Sequence, residues 1–351
     1  MTVVGINLRR WETWGTILVL AVMVVLLFAG PHIFDLFTLF KVTLFVAMSI
    51  LALSMGFIWG YGGILCFGQS AFYGLGAYTY AIAVGNFGES TGPFFLAIIV
   101  PAAFAALLGY FMFYGRLSDV YLAVVTLAVT LILYNFMRST AGEEYAIGAQ
   151  RLMGFNGISS IQPINWPGDG SAWLFPDEIF HLSMGCLILC YAGLKLLNRS
   201  YFGRVAVAMR ENELRAELLG YDVRLHKLQT FTIGGGMAGL AGCLGVNFNS
   251  FVNPDVFALN FAAEIIMWTL IGGLGTLVGP MIGCIGLLML KFEVGQQQIT
   301  NTYLIFGGII MVFVLAVPAG LLPTARQLAD RFLPALGLGG AEVERRREAA
   351  Q

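Results

Sequence analysis

Apolar residues come in long runs separated by short polar stretches. Ten such runs can be marked, at residues 14–34, 36–59, 63–84, 93–114, 118–138, 178–197, 229–251, 257–273, 277–292 and 302–320. A helix needs about 20 apolar residues to cross a hydrocarbon layer, and most of the runs meet that length. The pattern therefore predicts an all-α polytopic membrane protein with about ten transmembrane helices. The eighth and ninth runs are short. At about 1.5 Å per residue a helix of roughly 16 residues covers about 24 Å, less than the core of about 30 Å. They read as half-helices broken at Gly272, Gly273 and Gly275. Broken helices often border a substrate path.

Composition agrees with the pattern. Hydrophobic residues make up 58% of the chain and charged residues 11%, whereas soluble domains hold about 45–50% and about 25%. The net charge of −1 suggests no nucleic-acid partner, and where the charges fall matters more than their sum. Arg116, Lys195, the basic stretch 198–228, Arg326, Arg331 and the run from Arg345 to Arg347 alternate onto the same side as Arg9 and Arg10. Lys41, Arg138, Arg151 and Lys291 fall on the other side. The positive-inside rule then puts both termini in the cytoplasm. The first run lacks a small-residue cleavage site and is expected to stay as the first helix. Residues 1–323 read as one transmembrane domain and 324–351 as a cytoplasmic tail.

Two polar segments interrupt the apolar pattern. The island at 198–228 carries Arg199, Arg204, Arg210, Arg215, Arg224 and Lys227. Within it Val205, Ala208, Met209, Ala216 and Leu219 fall close to a helical stripe. Glu211 precedes Arg215 by four residues, which supports a helix, and Gly220 is placed to cap its end. Either a lipid surface or a partner protein could receive such a stripe. The loop at 139–177 is too long for a minimal connector; Trp166 and Trp173 argue for order, and it reads as part of an external docking surface.

Enzyme chemistry finds little support. His32, His181 and His226 lie apart, with no second ligand at metal spacing. The five cysteines, Cys66, Cys186, Cys190, Cys243 and Cys284, fall inside apolar runs as small buried hydrophobes. The glycine run from Gly272 to Gly279 lacks the lysine and hydroxyl ending of a phosphate loop. The chain shows no ATPase site or cofactor of its own, so any energy for pumping must come from an ion gradient or a partner subunit. Glycines at Gly68, Gly76 and Gly239 suit close helix packing. Polar groups at membrane depth, Gln69, Ser70, Thr126, Asn247 and above all Glu264, are the candidates for a pathway or a subunit interface. A carboxylate at mid-bilayer costs about 2.5–3.5 kcal/mol, so Glu264 should face protein or water.

Four blocks, in order and on this topology, carry a family resemblance. The first holds Gly62, Gly63, Ile64 and Leu65, then Gly68, Gln69, Ser70, Ala71 and Phe72, then Gly76, Ala77 and Tyr78. Residues 120–128, VYLAVVTLA, make the second. Phe202, Gly203 and Arg204, followed by Arg210, Glu211, Asn212 and Glu213 and by Glu217, Leu218, Leu219 and Gly220, make the third. Residues 271–276, IGGLGT, with Gly279 and Pro280, complete the set. From about residue 40 to 323 the chain resembles the permease subunits of branched-chain amino acid ABC transporters.

The resemblance implies partners: a second, homologous permease, two ATPase subunits carrying ATP and Mg on the cytoplasmic face, and a periplasmic solute-binding protein, all in a bacterial inner membrane. It implies that residues 213–220 are the short helix that docks on the ATPase, with Arg210, Glu213, Arg215, Glu217, Leu219 and Gly220 in the coupling role. ATPase closure would then tilt the helices attached at Lys195 and Gln229, giving alternating access. The loop at 139–177 would be periplasmic and face the binding protein. The stretch GEEYAIGAQRLMGFNG, at 142–157, departs from the turn found in many relatives, and relatives that carry urea or short amides share this architecture. An aliphatic amino acid is the first expectation, with urea or a short amide the alternative. A self-sufficient carrier, dependent on Glu264, is the reading from another class.

Overall fold

A computed structural model describes residues 4–142, 144–168, 172–296, 307–308, 311 and 320–324. Within them the chain is a helical bundle of nine long helices, crossed at one end by two short ones. They are α1 (Val4–Ile33), α2 (Leu36–Gly60), α3 (Gln69–Phe87), α4 (Thr91–Tyr114), α5 (Asp119–Ser139), α6 (Pro176–Arg199), α7 (Tyr201–Glu211), α8 (Glu213–Leu218), α9 (Val223–Asn249), α10 (Leu259–Gly272) and α11 (Val278–Gln296). Seven helices among the described residues are long and apolar enough to cross a membrane: α2, α4, α5, α6, α9, α11 and the Gly15–Ile33 part of α1. The remaining two long helices are α3, of 19 residues, and α10, of 14. The tenth expected run, 302–320, and the tail, 324–351, lie almost wholly outside the described residues.

Helix α9 is the axis of the bundle. Close approach explains its glycines: a methyl on Gly239 would collide with the Ala97 carbonyl and Pro101 of α4, and one on Gly76 of α3 would collide with the Gly239 backbone. Pro101 lacks an N–H and so leaves the Ala97 carbonyl without its helical partner. The bare Gly239 backbone packs against that site, which larger residues would block. Polar groups inside the helices bond to their own turns, as in Thr43 to the Leu39 carbonyl (2.8 Å) and Ser49 to the Phe45 carbonyl (2.7 Å). That is how hydroxyls are accommodated in an apolar setting.

Several boundaries differ from the sequence expectation. The third run does not become helix at residue 63; residues 61–68 form an irregular, largely buried connection, and α3 begins at Gln69. Cys66 sits in that connection rather than in a helix, with its sulfur accepting from the Gly68 N–H at 3.2 Å. Positive φ at Gly63 (71°) makes this turn. Helix α9 extends back to Val223, so the polar island is shortened to the stretch between α6 and α9. The expected break between the eighth and ninth runs is present. Gly273 (φ 105°) ends α10, and the Thr276 hydroxyl donates to the Gly273 carbonyl (3.2 Å) and accepts from the Gly279 N–H (3.1 Å) at the start of α11. A methyl on Gly272 would collide with the Gly279 carbonyl, so the two helices cross with backbones touching.

Candidate functional site: the α7–α8 end of the bundle

Helix α6 ends at Arg199, and Ser200 starts α7 in a new direction with extended backbone (φ −73°, ψ 179°). The island is two helices rather than one. Asn212, at φ −160° and ψ 103°, interrupts them and its side chain caps α8 by accepting from the Arg215 N–H at 2.8 Å. An asparagine at this position satisfies a donor that the helix leaves open. Because the break falls between Glu211 and Arg215, that pair does not support a continuous helix; Glu211 instead pairs with its neighbour Arg210 at 2.9 Å.

Gly220 closes α8 as expected, with φ 88°. Its N–H bonds the Glu217 carbonyl (2.9 Å) and the next N–H, of Tyr221, reaches back to the Ala216 carbonyl (3.3 Å). This pair of bonds is the glycine-dependent helix end known as the Schellman motif. Tyr221 then packs beside a small apolar cluster of Val205, Ala206, Met209, Ala216 and Val223. The stripe therefore differs in membership from the sequence expectation: Val205, Met209 and Ala216 are buried, whereas Ala208 and Leu219 point to the surface. The periodicity ran through Asn212, where the helical phase is reset.

Helix α8 is held on one side and open on the other. Lys227, buried in the first turns of α9, places its ammonium 2.5 Å from Glu213 Oε2 and 3.8 Å from Asp119 Oδ1 at the start of α5. On the open side Leu214, Leu218 and Leu219 are 67%, 80% and 71% exposed. Arg215 and Glu217 are exposed beside them. Arg210 turns the other way, into the bundle, and its Nη1 donates to the Gly60 carbonyl at the end of α2. Sequence reasoning missed the Lys227 contact, because Lys227 read only as one more charge of the island.

The candidates at membrane depth do not converge on one point. Gln69 and Ser70 are buried at the start of α3, where Gln69 Nε2 donates to Ser54 Oγ at 3.1 Å. Thr126 of α5 joins this group: its hydroxyl accepts from the Phe67 N–H at 3.1 Å, and a methyl on Gly68 would lie 3.2 Å from its Cβ. Asn247 belongs to the opposite end. Its Oδ1 accepts from the Ile164 N–H (2.8 Å) and lies 3.1 Å from the Tyr80 hydroxyl. Glu264 is near that end too, paired with Lys291 of α11 at 2.6 Å, which supplies an intramolecular partner for the carboxylate.

That far end also carries the 139–177 loop, which is ordered over its described part. A hairpin of Ala146–Ile147 with Gln150–Arg151, and a long-range antiparallel pairing of Ile158–Ser159 with Phe251–Val252, shape it. Asn86 fastens the first hairpin by accepting from the Ala149 N–H (2.7 Å), and Asn165 exchanges bonds with Ser90 at the start of α4, the Asn165 N–H donating to Ser90 Oγ at 2.9 Å. Phe155, Trp166, Trp173 and Phe175 remain more than half exposed on this surface.

Comparison with known proteins follows the same outline. The permease protein LivM of the high-affinity branched-chain amino acid transport system of Escherichia coli K12 is 29% identical, over 88% of this chain and 75% of its own length. A probable branched-chain amino acid transport permease LivM of Methanocaldococcus jannaschii is 23% identical over 78% and 90%. LivH, another permease protein of the Escherichia coli system, is 23% identical over 80% and 92%. No solved structure matches. Residues 37–315 match the model of the branched-chain amino acid transport system/permease component family, and the chain, a multi-pass membrane protein, belongs to that family.

Proposed function

We propose that this chain is a permease subunit of an ATP-driven importer for branched-chain or other aliphatic amino acids. It forms the translocation path together with a second, homologous permease. Two ATPase subunits, which hold the ATP and Mg, dock at the α7–α8 end, and a solute-binding protein docks on the far end. The α7–α8 end and both termini face the cytoplasm of a bacterial cell. The observation that carries this reading is α8: a six-residue helix, capped at both ends and fixed from behind by Lys227, that presents Leu214, Leu218 and Leu219 outward. Leucines exposed on a rigid, charge-flanked helix suit a groove in a partner protein, because an isolated helix of this length would not persist on propensity alone.

Two further features support the reading. Relatives include both LivM and LivH permease proteins, which fits a pair of different permeases. The basic residues sort by end: Arg116, Lys195, Arg199, Arg204, Arg210, Arg215, Arg224 and Lys227 lie with α7–α8, while Lys41, Arg138, Arg151 and Lys291 lie at the other end. Such asymmetry orients a membrane protein with the richer end inside.

The test is ATP-driven leucine uptake into proteoliposomes holding the complex, with Leu218→Asp plus Leu219→Asp in this chain. Both side chains are exposed, so the variant should insert and fold normally while losing the ATPase subunits in a pull-down and losing uptake. Glu213 is unsuited to this test, since its charge is engaged with Lys227. Gradient-driven uptake that persists in the variant without ATP would replace this reading with a self-sufficient carrier.

A further inference from the structure

Arg210 sits three residues before α8, yet its side chain does not join the exposed leucine face. Two backbone stretches far apart in the sequence, residues 60–63 and the turn at Gly275, meet around it. Its Nη1 donates to the carbonyl of Gly60, in the last turn of α2. Carbonyls of a last helical turn have no partner within the helix, and a cation there also meets the negative end of the helix dipole. Gly63 (φ 71°) packs on the stem of the same arginine: a methyl there would lie 3.0 Å from Arg210 Cγ and 3.4 Å from its Cα. Gly275 (φ 82°), in the turn between α10 and α11, completes the set, its nearest neighbour being Arg210 Nη1 at 3.6 Å from a methyl position. Gly60 and Gly275 touch each other as well, a methyl on Gly60 lying 3.0 Å from the Gly275 nitrogen.

We infer that Arg210 is the positioning residue that couples the α7–α8 segment to the α2 end and to the α10–α11 break, so that displacement of α8 is delivered to those helices and not only to α6 and α9. The covalent neighbours of the segment, α6 and α9, are the obvious recipients of any force on it. Arg210, about a third of its side chain exposed, adds a route across the ends of α2 and α10. A guanidinium is suited to this because it is planar, always charged and offers several fixed donors. One donor holds Gly60 while Nη2 pairs with Glu211 at 2.9 Å, which fixes the plane of the group. The contacting glycines at 60, 63 and 275 leave no side chain between the arginine and their backbones, so a shift of α7 has no soft layer to absorb it. Gly273, two residues from Gly275, ends α10 and also contacts Gly320. The turn is thus a junction of four chain segments, and Arg210 reaches it from the α7 side.

The inference rests on the importer reading above and is tested in the assembled complex, with Arg210→Ala, Arg210→Lys and, as a charge control, Arg204→Ala. Arg204 is exposed on the same helix, and its Nη1 donates to the Arg199 carbonyl (3.2 Å) without reaching the α10–α11 turn. A spin label at Leu274→Cys reports on the α10–α11 turn and one at Leu218→Cys on α8. Arg210→Ala should keep the ATPase subunits and basal ATP hydrolysis, and should lower leucine uptake per ATP hydrolysed by about tenfold. The nucleotide-dependent change at Leu218 should persist while that at Leu274 disappears. Lysine at 210 should restore only part of the loss, and Arg204→Ala should match the unaltered complex. Loss of the ATPase subunits in Arg210→Ala would make Arg210 a docking contact and overturn the inference; so would an unchanged Leu274 signal with unchanged uptake. Failure of the unaltered complex to take up leucine with ATP would instead sink the importer reading.

Discussion

Lys227 Nζ lies 2.5 Å from Glu213 Oε2, joining α9 to α8 across 14 residues of sequence. The lysine is largely buried while the glutamate is half exposed. Removing the carboxylate leaves the ammonium with Asp119, at 3.8 Å, and removing the lysine leaves α8 held through the Ala216 cluster without its ion pair to α9. In Lys227→Ala the backbone amides of α8 should exchange with solvent markedly faster while those in the middle of α9 stay protected. In a double-mutant cycle with Glu213→Gln, melting in detergent should show a coupling of about 1 kcal/mol. Additive losses would mean that the pair holds nothing.

A second ion pair, Glu264 with Lys291, lies within the apolar helices α10 and α11. Breaking one half of such a pair strands the other charge beside apolar helices, whereas neutralising both is far less damaging. Lys291→Met should therefore lower the melting temperature sharply, and Glu264→Gln added to it should recover most of the loss. Should Glu264→Gln alone abolish uptake without affecting assembly, the carboxylate has a transport role beyond the pair.

Glycine contacts separate into tight and open ones. Alanine at Gly76 would press on the Gly239 backbone, and overpacking of this kind costs about 1–3 kcal/mol. Gly193 of α6 has open space around it, and alanine there should stabilise the helix by about 0.5–1 kcal/mol. The two variants should thus move the melting temperature in opposite directions.

Asn247 fastens the 139–177 loop by accepting from the Ile164 N–H. Alanine leaves that buried donor unsatisfied, at a cost of about 1–3 kcal/mol. The amides of residues 161–165 should exchange faster in Asn247→Ala. On the importer reading, docking of the solute-binding protein should weaken, while assembly with the ATPase subunits, at the other end, should be unaffected.

Much of the architecture was legible in the chain because its signals are local. Runs 36–59, 93–114 and 118–138 became α2, α4 and α5 with ends shifted by at most two residues, since the length of an apolar run and the length of a spanning helix are the same quantity. Gly272, Gly273 and Gly275 marked the break between α10 and α11 for a similar reason: backbone freedom is written in the residue itself. The buried connection at 61–68 was misread as helix because its composition is as apolar as that of a span. Leu219 reads as one stripe with Val205, Met209 and Ala216 because periodicity assumes an unbroken helix, and Asn212 resets the phase.

The sequence alone determined that this is a polytopic helical membrane protein, where its chain folds back, and that its polar island is exceptional, because insertion energies are nearly additive along the chain. Tertiary structure alone decided which charges meet. Lys291 pairs with Glu264 across 27 residues and Arg210 reaches Gly60 across 150. Partner choice of that kind depends on how the helices pack, and the packing is set by backbone contacts, such as Gly76 on Gly239 and Gly272 on Gly279, that no single stretch of sequence contains.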